Sequence, residues 1–114
     1  MNYTDIDSGV AAYIDFMVAD YAAYTIRSIG EERAKESIKE FKNSFSVRSG
    51  KRYSKIIANG SVKAFVVNTN EDRTFKFGDI LKAAGFAAPA RNSARGNVLE
   101  GKFSGGWTGP AYLK

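Results

Sequence analysis

The chain has 114 residues, is 44% hydrophobic and 25% charged, carries a net charge of +5, and contains neither Cys nor His. Those figures describe one ordinary globular domain with a single core. They exclude disulfides, thiol catalysis, cysteine-based zinc sites and any mechanism built on a Ser-His-Asp or Cys-His pair. An enzyme would have to work with Asp, Glu, Lys, Arg, Tyr or Ser, and binding is the better reading.

The N-terminus, Met1-Asn2-Tyr3-Thr4-Asp5, is polar and acidic, unlike a signal peptide. The apolar-rich stretch from Val10 to Ile29 is interrupted by Asp15, Asp20 and Arg27, which argues against a membrane span. A cytoplasmic location with no membrane partner is expected. Ile6, Val10, Tyr13, Ile14, Met17, Tyr21 and Tyr24 recur at helical spacing after the capping signal Thr4-Asp5-Ile6-Asp7, predicting a helix from Asp5 to Arg27. A second capping pattern, Ser28-Ile29-Gly30-Glu31, opens a predicted helix from Ile29 to Lys42, with Ala34, Ile38 and Phe41 on one face.

After Asn43 the period changes. Phe45 and Val47 alternate with polar residues up to Ser49-Gly50, and the runs Lys51–Ala58 and Ser61–Asn68 flank Asn59-Gly60, a strong hairpin signal. A regular two-residue turn pairs Ile57 with Val62, Lys55 with Ala64 and Tyr53 with Val66. Thr74–Phe77 reads as a short strand bent at Gly78-Asp79 into Ile80-Leu81. Pro89 opens a predicted helical turn through Arg95, closed by Gly96-Asn97. Val98–Phe103 reads as a strand with Gly101 as a bulge, and Trp107–Leu113 as a terminal edge segment with Pro110. The expected fold is α+β: one domain over residues 1–114, its two N-terminal helices (1–43) packed on a small, bent, partly open barrel-like antiparallel sheet of about five strands.

Charge is unevenly spread. Residues 1–50 carry eight acidic and six basic side chains, and residues 51–114 carry four and eleven. An anionic partner would therefore meet the C-terminal half. On the predicted helical turn Arg91 and Arg95 face one way and suit a phosphate or carboxylate, with Lys82 and Lys102, then Lys55 and Arg52, extending the patch. Asn97 is a helix-stop residue or an amide able to read a ligand. Trp107 and Phe86, flanked by Gly and Ala, are the aromatics expected at the surface, where they would stack on bases. Asp79, Glu100, Asp72 and Glu71 show no metal-binding spacing and read as caps and ion-pair partners. The glycines form neither GxGxxG nor a Walker A loop, so no cofactor is implied.

The string Phe77-Gly78-Asp79-Ile80-Leu81-Lys82-Ala83-Ala84, with Pro89-Ala90, Ala94-Arg95-Gly96-Asn97-Val98 and Trp107-Thr108-Gly109-Pro110-Ala111-Tyr112-Leu113, resembles small uncharacterised proteins of tailed bacteriophages. The resemblance covers about residues 51–113. It implies a phage source and brings no catalytic residues. The expected function is non-catalytic binding of a phosphate-bearing ligand, single-stranded nucleic acid or a nucleotide. The alternatives are a protein that binds a host or virion protein, with helix 1 as a homodimer face, and a small His-free enzyme with convergent carboxylates.

Overall fold

The computed structural model describes residues 5–110, so Tyr112 and Leu113 of the predicted terminal segment lie outside the described residues. Helix α1 spans Ile6–Ile29 and starts where Asp5 accepts the Ser8 N–H at 2.8 Å. Helix α2 spans Glu31–Asn43. Gly30 alone separates them, at a φ of 86° that favours glycine. The expected cap from Ser28 is not made. Its hydroxyl instead donates to the Tyr24 carbonyl at 2.9 Å, which keeps Ser28 inside α1.

Four strands follow, β1 (Ser46–Ser49), β2 (Tyr53–Ala58), β3 (Ser61–Val67) and β4 (Ile80–Leu81), in one antiparallel sheet of that order. Asn59 and Gly60 both take positive φ, as the tight hairpin requires. The predicted register holds for Ala58 with Ser61 and Ile57 with Val62, then slips. Ile56 pairs with Ala64, Lys55 with Phe65 and Tyr53 with Val67, which leaves Lys63 as a bulge.

That slip sorts the sheet into two faces. Ile56, Ala64, Val66 and Ile80 pack with Val10, Tyr13 and Met17 of α1 and with Val98. Phe65, Val67, Leu81 and Phe75 pack on the other face with Tyr53, Val62, Ala83 and Ala94. Each buried aliphatic side chain contributes about 1.5–3 kcal/mol. Helices therefore cover one face, and the segments 68–79 and 82–95 cover the other.

The fold is α+β as expected, two helices packed on an open antiparallel sheet, but the sheet has four strands rather than about five. Three local expectations are corrected. Thr74–Phe77 is loop, its N–H groups taken by side chains: Asp72 accepts from Thr74 and Phe75, and Asp79 from Lys76. Pro89–Arg95 is irregular and not helical, with an isolated bridge at Pro89 and a bend at Asn92. The Ala90 N–H donates to Lys82 O and the Arg95 N–H to Ile80 O, both at 2.7 Å, so pairing along β4 outweighs the local helical signal. Val98–Gly101 is a tight turn closed by an Asn97–Lys102 bridge, with Gly101 at a φ of 66°. Gly106 and Gly109 bridge similarly around Trp107.

Candidate anion-binding groove

The seven residues singled out from sequence do not converge. Arg91 donates to both oxygens of Asp72 and to the Tyr53 hydroxyl, and its guanidinium lies over the Phe75 ring at 4.9 Å. It is bound to the helix-free face and committed to structure. Trp107 sits on the opposite side, half-buried among Tyr21, Tyr24 and Phe41, with its backbone N–H on Asp20 at 3.0 Å. The expected surface shared by Trp107 and Phe86 does not exist.

Asn97 is buried and fully used. Its amide donates to Phe77 O and Asp79 Oδ1, and its oxygen accepts from Leu99 and Glu100 N–H. It organises a turn; no helix ends there. Lys102 pairs with Glu100 at 3.1 Å, and Lys76 holds the same carboxylate from its other oxygen. Those two lysines hold the Glu100 carboxyl below its ordinary range. Asp79 is consumed by Asn97 and the Lys76 N–H, so Asp79 and Glu100 serve as turn and ion-pair groups. Among the described residues no group of acidic side chains is arranged to hold a metal ion.

Lys82 donates to Pro110 O at 3.0 Å, and burial, followed by the charge of Arg95, lowers its pKa. Arg95 is half-buried; Nη2 reaches Asn92 at 3.2 Å, while Nε and Nη1 are covered and have no acceptor among the described residues. These two cations adjoin each other, and each is partly exposed.

The accessible basic site lies elsewhere, at the β1–β2 end. A groove of about 290 Å³ is rimmed by Arg48, Lys51, Arg52 and Lys55 and floored by Tyr53 and Phe65. Ala87, from the loop above, forms part of the wall, and no carboxylate lines the groove. Arg48 and Lys55 are direct cross-strand partners, so two like charges stand opposite each other on one face. Such a pair destabilises a hairpin. Arg48, Lys51 and Lys55 have no ion-pair partner among the described residues, and Arg52 reaches Asp72 only at 3.6 Å. Lys55 Nζ lies 4.3 Å from the centre of the Phe86 ring and 5.6 Å from that of Phe65.

Sequence reasoning named Lys55, Arg52 and Phe86 but missed Arg48 and Lys51. The signal was present: Arg48 and Lys51 flank Ser49-Gly50, a turn that folds them back onto Arg52 and Lys55. Among the described residues no helix is long and apolar enough to cross a membrane. Neither a curated protein nor a solved structure matches the chain. A family model does match, from residue 2 to residue 108 and thus through both helices and the sheet, and the chain belongs to that family, a family of unknown function designated DUF7717.

Proposed function

We propose that this is a non-catalytic binding protein whose basic groove holds a phosphate-bearing ligand, single-stranded nucleic acid or a nucleotide. One observation carries the reading: Arg48 and Lys55 are paired across the ladder, beside Lys51, without a counter-charge among the described residues. Folding alone gives no reason to keep that repulsion, and a bound polyanion relieves it. The aromatic floor of Tyr53 and Phe65 supplies apolar surface beside the cations. The likeness of the C-terminal half to small phage proteins fits such a role in a host cytoplasm.

The test is fluorescence anisotropy with labelled oligonucleotides and nucleotides across a salt series. Four engaged cations predict that log K falls against log salt with a slope of about −3 for a single strand. Lys51→Glu and Arg48→Glu should each weaken binding and flatten that slope. Absence of salt-sensitive binding to any nucleic acid or nucleotide overturns the reading. A lysate partner that survives nuclease treatment and is lost in Lys51→Glu would put an acidic protein surface in its place.

A further inference from the structure

Phe86 is 53% exposed, which is unusual for a phenylalanine held in place. The loop that carries it is stapled. The Ala84 and Gly85 N–H groups donate to Ala88 O at 3.0 and 3.2 Å, and Ala83 bridges to Pro89. Phe86 and Ala87 thus form the tip of a short closed loop whose neighbours are Gly and Ala, too small to cover the ring. Ala87 lines the groove, and Lys55 Nζ caps the ring at 4.3 Å, so the aromatic surface adjoins the cations.

The cations occupy two levels. Arg48 and Lys55 share one rung of the β1–β2 ladder, and Lys51 and Arg52 lie at the turn beyond Ser49 and Ser54, roughly 7–10 Å further along. One phosphate group does not span both levels, whereas successive phosphates of a strand do. A base laid on Phe86 must be unstacked from its own neighbours, which a duplex does not offer.

We infer that the groove takes a single-stranded nucleic acid, with one base laid on Phe86, in preference to a duplex or a lone nucleotide. This rests on the phosphate-binding reading above and adds the shape of the ligand to it. Charge alone predicts the opposite order, because a duplex carries the denser row of phosphates.

The experiment measures the full chain against a fluorescein-labelled oligo-dT, a blunt duplex of the same length, and thymidine monophosphate as competitor. Oligo-dT should bind more tightly than the duplex, and the monophosphate should compete only weakly. Phe86→Ala should weaken oligo-dT binding by about five- to a hundredfold and leave duplex affinity unchanged. Phe86→Trp should restore it. An unchanged thermal melt of the exposed-site variant separates this loss from misfolding. Equal or tighter duplex binding, with Phe86→Ala without effect, overturns the stacking inference and leaves the phosphate reading standing. No salt-sensitive binding to any of the three probes overturns both.

Discussion

The Arg91 guanidinium takes both oxygens of Asp72, Nη1 to Oδ2 at 2.9 Å and Nη2 to Oδ1 at 3.0 Å, while Nη1 also donates to the Tyr53 hydroxyl. The same carboxylate accepts the backbone N–H groups of Thr74 and Phe75. One carboxylate therefore ties the 68–77 loop to the segment after Pro89 and to the start of β2. Arg91 is thereby fixed between that loop and Tyr53, with part of its side chain still exposed.

If so, Arg91→Lys and Asp72→Asn should each lower the melting temperature, because lysine keeps the charge but loses the planar fork. The double variant should be less destabilised than the sum of the two, since the residues act as one unit. Strict additivity in a urea-unfolding cycle would contradict the clamp. Oligo-dT affinity should drop less in Arg91→Lys than in Lys51→Glu.

Acid should weaken the fold through the same group. The Arg91 hydrogen bond first, then the Phe75 and Thr74 N–H groups and the Arg91 charge, hold the Asp72 carboxyl well below the usual carboxylate range. Hydrogen bonds from Lys76 and Lys102 lower Glu100 as well. A carboxyl depressed in the folded state contributes stability in full above the ordinary carboxylate pKa and loses it as pH falls towards the folded value. Melting temperature should thus be steady near neutrality and decline below about pH 4. Asp72→Asn should flatten that acid limb; an unchanged limb would remove Asp72 from the account.

Gly9→Ala reverses the usual sign of a helix substitution. At an ordinary helix position alanine gains about 1 kcal/mol over glycine. Here an added Cβ would stand 2.6 Å from the Val98 carbonyl oxygen, where α1 meets the backbone of the 97–102 turn. A net loss of about 1–3 kcal/mol is expected in denaturant unfolding. A stabilised variant would show that α1 does not approach the turn so closely.

Tyr13→Phe should be neutral or stabilising, by up to about 1 kcal/mol. The Tyr13 side chain is buried in the main core, stacked on Phe103, and its hydroxyl has no partner among the described residues. Burial pushes its pKa up. A loss of more than about 1 kcal/mol would mean that the hydroxyl is satisfied in solution.

Much of the fold was legible because local signals and tertiary demands agree there. The stripe from Val10 to Met17, the positive-φ pair Asn59-Gly60 and the Gly78-Asp79 turn each read correctly. The errors share a cause. Pro89–Arg95 carries a local helical signal, yet backbone bonds from Ala90 to Lys82 and from Arg95 to Ile80 hold it out of a helix. Val98–Phe103 reads as a strand with Gly101 as a bulge, but Asn97 accepts the Leu99 and Glu100 N–H groups and folds it into a turn. Asn97 stands beside the segment it folds, but its amide is held by Phe77 and Asp79, 20 and 18 residues away, which a short window does not show. The site was harder still: spacing along the chain put Arg91 beside Arg95, whereas opposite Arg48 the ladder put Lys55.

The bulge at Lys63 sets what can be altered without disturbing what. Removing Lys63 would leave Ile57–Val62 and Ile56–Ala64 as consecutive pairs, so the ladder itself has no use for the residue. Its users lie on the helix side, where Lys63 Nζ rests over Phe41 and Trp107 and its carbonyl meets Gly109 so closely that a Cβ would stand 2.5 Å away. Shortening the hairpin by that one position would therefore loosen the docking of the 104–110 segment while leaving the cationic groove assembled. The Lys63 position thus serves the helix-side face of the sheet and not the groove side.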